Sequence, residues 1–260
     1  MKKNAEKPEL ISANQIVSQK AHNIQWMFNS IAHRYDLLNR LLSGGMDIRW
    51  RRKMVRKLAP VEGESILDLA TGTADVALEI LHQTRGHLNR LIGLDFSPAM
   101  LALAKDKLSA TAATPTQIAL AAGAAESIPI SDSQFDGLTV AFGVRNYADL
   151  DRGLTEMARV LKPGGRAIIL EFSLPRSRIL CFGYKLYFKK ILPLLGGLIS
   201  GQPDAYQYLP DSVETFPVRN ALREKLLAAG FESVEYKDMS LGIVTLYQAF
   251  KSESNQPFSQ

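Results

Sequence analysis

The sequence predicts an α/β fold: a doubly wound, mostly parallel sheet preceded by an N-terminal helical cap. Three observations carry that expectation. From Ser65 to Phe172 short apolar runs alternate with stretches of helical periodicity, the pattern of a parallel sheet covered on both faces. The first run ends in a turn of small residues, "ATGTAD" (70–75), and the second ends on an acid, Asp95; both suit the carboxyl edge of such a sheet. Ahead of them, Met27, Ile31, Tyr35, Leu38, Leu41 and Leu42 recur at helical spacing.

Taken in order, the chain opens with a polar tail, residues 1–13. Ile24 to Leu58 reads as two or three helices interrupted at Gly44-Gly45. "SILDLA" is the first strand, Ala74 to His82 a helix, "RLIGLD" the second strand and Pro98 to Leu108 a helix. "TQIALA" and "FDGLTVAF" are strands, followed by a helix from Asp149 to Leu161 and the strand "GGRAIILEF". "KPGG" (162–165) lacks the Gly-Lys-Ser/Thr of a phosphate loop and follows a helix, so it reads as a helix stop and strand start. A helix from Arg219 to Ala229 leads to "FESVEYKDM" and "GIVTLYQAF", a hairpin that closes the sheet. The expected division is a tail and cap over 1–58, an α/β domain over 59–251 with a substrate segment inserted at 174–218, and a polar tail over 252–260.

Composition limits the function classes. With 260 residues, 46% hydrophobic and 22% charged, the chain can bury a full core. A formal charge of +5 suits an anionic surface but is too mild to imply nucleic acid. The single Cys181 forms no internal disulfide, and His22, His33, His82 and His87 show no ligand spacing, so no metal is expected. The start has no apolar run after its lysines, and no stretch of about 18 apolar residues occurs, so a cytoplasmic location is expected.

The small-residue turn lets backbone N–H groups approach a ligand, and Asp95 is placed to accept two hydrogen bonds from ribose hydroxyls. Asp68 and Asp75 on either side would repel the pyrophosphate of a dinucleotide. They favour S-adenosylmethionine, which has an ammonium, a sulfonium and a ribose but no phosphate. The plainer alternative is that Asp75 complements a helix dipole and Asp68 merely ends a strand.

"YDLLNRLLSGGMDIRW" (35–50) and "RVLKPGGRAIILEFS" (159–173) resemble the two signatures of the ubiquinone/menaquinone biosynthesis C-methyltransferases, and "FDGLTVAFGVRN" (135–146) resembles the segment between them. The likeness runs from about Phe28 to Phe250. It implies a class I S-adenosylmethionine-dependent methyltransferase, Rossmann-like with a mostly parallel seven-stranded sheet, acting on a ring carbon of a polyprenylated quinol. Carried over position by position, Asp68, Thr71, Gly72, Asp75, Asp95, Phe96, Ala124 and Ala125 belong to the cofactor site. Arg145 and Asn146 face the quinol, and Tyr35 joins that pocket from the cap. Four positions depart from the family pattern. Thr71 and Ala74 stand where glycines are usual; Ala74 is then expected at negative φ, and Thr71 adds a hydroxyl contact. Ala124 replaces an Asp or Asn that touches adenine, which leaves backbone groups to read the base. Asp47 replaces a common His.

Methyl transfer to carbon needs an electron-rich ring, and a fixed cation beside a quinol oxygen lowers its pKa. Arg145 and Asn146 are the candidates for that role; a strand-end turn with Asn146 capping the next helix is the plainer reading. Arginine is a poor proton acceptor, so proton removal falls to water, relayed by Tyr35 or His33. Glu171 reads as a cap hydrogen-bond partner or a structural acid. Trp26, Trp50, Tyr206 and Tyr208 read as packing or substrate wall. The aromatic and basic segment 176–201 suits an anionic membrane surface, or a packed cap helix with its lysines in water. The acceptor expected is demethylmenaquinol, with the benzoquinol of ubiquinone biosynthesis as the alternative. A noncatalytic quinone- or lipid-binding module and an RNA methyltransferase are the readings from other classes. A homodimer is compatible with the sequence.

Overall fold

The computed structural model describes residues 13–110, 116–187 and 203–253. Its centre is a seven-stranded sheet in the order β3-β2-β1-β4-β5-β7-β6. The strands are β1 (Ser65–Leu69), β2 (Arg90–Asp95), β3 (Gln117–Ala122), β4 (Phe135–Ala141), β5 (Leu161–Phe172), β6 (Ser233–Met239) and β7 (Val244–Phe250). The first five are parallel, and β7 runs antiparallel between β5 and β6, the closing hairpin. Strand order reverses between β1 and β4, which opens a crevice at their carboxyl ends.

The helices are α1 (Ala13–Leu42), α2 (Met46–Leu58), α3 (Asp75–Thr84), α4 (Pro98–Ser109), α5 (Leu150–Val160), α6 (Arg178–Leu186), α7 (Pro203–Thr215) and α8 (Asn220–Ala228). Successive strand residues point to opposite faces, so a sheet covered twice needs apolar residues at nearly every position. Ile66, Leu91, Ile168 and Leu170 pack against Trp50, Met54 and Leu58 of α2 and Val76, Ala77 and Ile80 of α3. Leu67, Leu69, Leu138 and Ile169 on the other face pack against Leu154 and Met157 of α5 and Leu222 and Leu226 of α8. Helix starts follow local chemistry. Ser97 accepts a bond from the Met100 N–H at 3.2 Å with Pro98 behind it, and Asp149 accepts from the Arg152 N–H at 3.1 Å. Asn146 therefore does not cap α5.

The cap is two helices, not three. α1 starts at Ala13, ahead of the first periodic residue Ile24, because the polar stretch before it carries helix-forming residues but little apolar signal. The break falls at Gly44 and Gly45, whose φ angles of 58° and 75° only glycine adopts without strain. The helix before "KPGG" stops at Val160, one residue short of the expected Leu161, and β5 begins earlier than Gly164. Leu161 pairs with Phe135 and Arg166 with Gly137, so residues 162–165 bulge between two pairings. Of the segment 176–201, Arg178–Leu186 form α6, while residues 188–202 lie outside the described residues, as do the terminal tails 1–12 and 254–260.

Candidate active site

The carboxyl ends of β1 and β2 meet at the turn 70–75. Asp95 receives the Gly72 N–H on Oδ2 and the Ser97 N–H on Oδ1, each at 2.8 Å. Burial pushes its carboxyl pKa up, against those N–H bonds. Asp95 lines a cavity together with Gly72, Phe96, Ala124, Ala125, Glu126 and Asn146. Among the described residues, Asp95 and Glu126 are the only charged ones that line it, with no Lys or Arg among them.

Asp68 lies behind the turn, 1% exposed, and is not on the cavity wall. Its Oδ2 accepts from Thr71 Oγ1 at 2.6 Å and its Oδ1 from Thr139 Oγ1 at 2.7 Å. Burial pushes its pKa up to about 6 despite both hydroxyls. The Thr71 hydroxyl contact expected from the sequence is thus made to Asp68. Ala74 adopts φ 68°, not the negative φ expected of an alanine there, and Ala70 has φ 54°. Left-handed backbone costs an L-residue about 1–2 kcal/mol. The turn keeps it through bonds from Thr71 N to Leu94 O and Ala74 N to Thr71 O, at 3.1 and 3.0 Å.

Asp75 also points away from the cavity. Arg40 Nη2, Arg51 Nη1 and Lys107 Nζ reach its carboxylate at 3.1, 3.2 and 2.9 Å. Although burial opposes it, Arg51, Lys107 and Arg40 hold the Asp75 carboxyl below the ordinary range. Arg40 and Arg51 also pair with Asp47, and Lys107 with Asp36, which accepts from Thr73 Oγ1 at 2.6 Å. Three acids and three bases from α1, α2, α3 and α4 thus fasten the cap to the turn. The cluster is not legible in the sequence because Asp75 and Lys107 meet the 36–51 members only through the fold.

α1 also covers the cavity directly. Gln25 donates to Phe96 O, and Ser97 Oγ donates to Asn29 Oδ1 at 2.7 Å. Phe28 meets Tyr35 and Phe96 edge-on, each at 6.0 Å between centroids.

A second cavity of about 450 Å³ adjoins the first, and Phe28, Tyr35 and Phe142 line both. Its wall is mainly apolar, from Met27, Ile31 and Leu38 of α1 to Trp50 of α2, Phe172 and Ile243. Arg145 lines it, whereas Asn146 lines the first cavity. Arg145 Nη1 donates to Phe142 O at 2.6 Å and to Glu171 Oε1 at 2.7 Å, and its guanidinium lies over the Phe172 ring at 5.4 Å. Burial alone would lower the Arg145 pKa, but Glu171, Tyr35 and Tyr208 raise it, so the cation is secure. Asn146 donates to Phe142 O at 3.3 Å and accepts from the Tyr208 hydroxyl at 3.1 Å, so Tyr208 does more than pack. Burial raises the Tyr35 pKa in spite of its bond to Asn39. His33 is exposed and lines neither cavity, so the relay considered for it has no geometric support. Glu171 is missing from both walls yet fully buried against Arg145. Its signal was a lone acid inside the apolar run "AIILEF". Among the described residues no helix is long and apolar enough to cross a membrane.

Solved structures share the fold at low identity. One is an S-adenosylmethionine-dependent methyltransferase from Thermotoga maritima, 17% identical, covering 88% of this chain and 100% of that one at a TM-score of 0.61. The [4+2]-cyclase SpnF matches at 17% identity and a TM-score of 0.62, over 90% of this chain and 97% of its own. Among curated proteins, the ubiquinone/menaquinone biosynthesis C-methyltransferase UbiE of Geobacter sulfurreducens is 47% identical over 90% of this chain and 91% of its own length. The demethylmenaquinone methyltransferases of Thermus thermophilus and Bacteroides fragilis are 46% and 38% identical, over 85% and 90% of this chain and 98% and 94% of theirs. The family model described as the ubiE/COQ5 methyltransferase family matches residues 15–251. With a family model spanning the cap, both cavities and the closing hairpin, the chain belongs to the ubiE/COQ5 methyltransferase family.

Proposed function

We propose that this chain is an S-adenosylmethionine-dependent C-methyltransferase that methylates the ring of a polyprenylated quinol, with demethylmenaquinol as acceptor. One observation carries it: a cavity lined, among the described residues, by two acids and no base shares Phe28, Tyr35 and Phe142 with a larger apolar cavity that holds a buried arginine. The donor chemistry fits the first. Acids without Lys or Arg favour a sulfonium and an ammonium over a pyrophosphate, and Asp95 at the end of β2 suits a ribose. An apolar cavity with a few polar groups suits an aromatic ring on a hydrocarbon tail.

When bound, S-adenosylmethionine supplies a methyl group on a positively charged sulfur. The chain supplies alignment and charge. Asp95, Phe96, Gly72, Ala124 and Ala125 form the donor wall; Asp68 and Thr71 shape the turn from behind, and Asp75 anchors the cap to it. Arg145 beside a quinol oxygen favours its ionised form, and Phe142, Phe28 and Tyr35 set the ring against the methyl group. The ring proton leaves to water. Demethylmenaquinol is favoured over the benzoquinol because relatives in three organisms carry the demethylmenaquinone name.

The outer face of α6 supports contact with a membrane surface, where such a substrate resides. Ile179 is 85% and Phe182 73% exposed, while Tyr184 of the same helix lines the acceptor cavity. Flotation with anionic liposomes tests this: the protein rises with the vesicles, and failure to do so with or without quinol ends the membrane reading.

Turnover with short-chain demethylmenaquinol tests the reaction, and quinone analysis of cells lacking the protein tests the acceptor. Accumulated demethylmenaquinone is the expected result; accumulated demethylated benzoquinone would reassign it. Arg145→Ala lowers turnover about 100-fold or more while cofactor affinity stays within about twofold. Undiminished turnover would remove Arg145 from the chemistry.

A further inference from the structure

Glu171 is the one fully buried carboxylate on β5, and it lines neither cavity. Its Oε1 accepts from Arg145 Nη1 at 2.7 Å and from its neighbour Phe172 N at 2.8 Å, while Oε2 accepts from the Arg145 N–H at 3.3 Å. One acid therefore grips Arg145 by both backbone and side chain. Phe142 O holds the same Nη1, and Phe172 lies under the guanidinium. Against this heavy restraint, Arg145 Nε is buried and has no hydrogen-bond partner among the described residues.

An unmade bond at a buried donor costs about 1–3 kcal/mol. Fold stability is a poor reason to accept that cost, because a buried ion pair is often no better than apolar packing of the same volume. The restraint instead holds in one place a guanidinium whose residue lines the acceptor cavity. We propose that Glu171 is a positioning residue for the methyl transfer, fixing the Arg145 guanidinium against the acceptor cavity, beside the quinol oxygen. This rests on the role of Arg145 proposed above. Glu171 cannot act on the quinol itself, since it does not reach the cavity; its effect passes through Arg145.

The test is a double-mutant cycle on the intact protein, with kcat, KM for short-chain demethylmenaquinol and calorimetric affinity for S-adenosylmethionine measured for each variant. Glu171→Ala lowers kcat about 10–100-fold with cofactor affinity preserved. Glu171→Gln, which keeps an acceptor for Nη1, recovers part of that loss. In the Arg145→Ala background, Glu171→Ala changes kcat by less than about threefold, since the group it positions is gone. Independent losses that multiply in the double variant would make Glu171 a structural residue and overturn the proposal, as would unchanged kcat in Glu171→Ala. Arg145→Ala with full turnover would instead overturn the reading on which the proposal rests, and the two failures are told apart by that single variant. If Glu171→Ala does not fold, Glu171→Gln alone and with Arg145→Gln carry the same comparison.

Discussion

Phe142 stacks on Phe172 with ring centroids 4.4 Å apart and planes 30° from parallel, and it does so from a left-handed backbone with φ 59°. A bulky side chain in that region is strained by about 1–2 kcal/mol. The surroundings hold it: Phe142 N donates to Leu170 O at 2.7 Å, and Phe142 O receives both Arg145 and Asn146. The strained peptide thus aims one carbonyl at the two polar residues of the "VRN" turn while the ring divides the cavities. Phe142→Ala is expected to cost about 3 kcal/mol of stability. Turnover should fall at least ~10-fold, because the ring that sets the acceptor against the donor is lost. Urea unfolding and steady-state kinetics check both, and turnover within twofold of wild type would deny the dividing role.

Asp68 makes stability depend on pH in an unusual direction. Its pKa is about 6 in the fold against an ordinary 3.8, so between about pH 4 and 6 the folded chain keeps a proton that the unfolded chain has released. Stability from this group is present below about pH 4 and is lost as pH rises through 6, by about 2–3 kcal/mol at 1.36 kcal/mol per unit. Asp75, Asp136 and Asp238 are held low by basic partners and act in the opposite sense. The comparison that isolates Asp68 is therefore with Asp68→Asn, which cannot ionise. Wild type should lose stability relative to that variant on going from pH 4 to pH 7, by chemical denaturation. A gap that does not change with pH would show that Asp68 titrates normally.

Much of this was readable from one chain, and the exceptions share a cause. The strands were visible because a sheet buried on both faces needs uninterrupted runs such as "SILDL". Asp95 is legible because the second apolar run ends on it, at the carboxyl edge where a doubly wound sheet holds ligands, and the helix expected from Pro98 to Leu108 is α4. Asp75 reads as facing the donor because a sequence shows that an acid starts a helix but not which cations surround it. Arg40 and Lys107 lie 35 and 32 residues away and meet it only through tertiary packing. Glu171 and Arg145, 26 residues apart on neighbouring strand ends, went unpaired for the same reason. The φ of Ala74 could not be foreseen, since the neighbouring bonds that override its preference belong to the folded turn.

Asp75→Ala tests the fastening of the cap. Its removal leaves Arg40 and Arg51 sharing Asp47 while Lys107 keeps Asp36 and Thr73, and three cations crowd one another with one carboxylate fewer between them. A stability loss of about 2 kcal/mol is expected, less than for a fully buried pair because the side chain keeps 15% of its exposure. Hydrogen exchange should quicken along α1, which the cluster holds over the donor cavity. Unchanged protection of α1 would mean that Phe28 packing and the Asn29 contact alone keep the cap closed.

Asp95 is the sharpest test of the donor site, because its two oxygens already serve two purposes. In the free protein they satisfy the N–H groups of Gly72 and Ser97, which shape the turn and start α4. Each oxygen has a second lone pair for a ribose hydroxyl. Asp95→Ala removes both functions, so calorimetric affinity for S-adenosylmethionine should drop about 100-fold or more, at ~1.5–3 kcal/mol for each lost charged bond. Asp95→Asn keeps one acceptor oxygen and places a donor at the other, against an N–H group of the turn. Its affinity should lie between wild type and the alanine variant, with a measurable loss of stability from the opposed donors. If Asp95→Ala bound the cofactor as tightly as wild type, the donor would have to be held elsewhere, and the adjoining cavities would need another explanation.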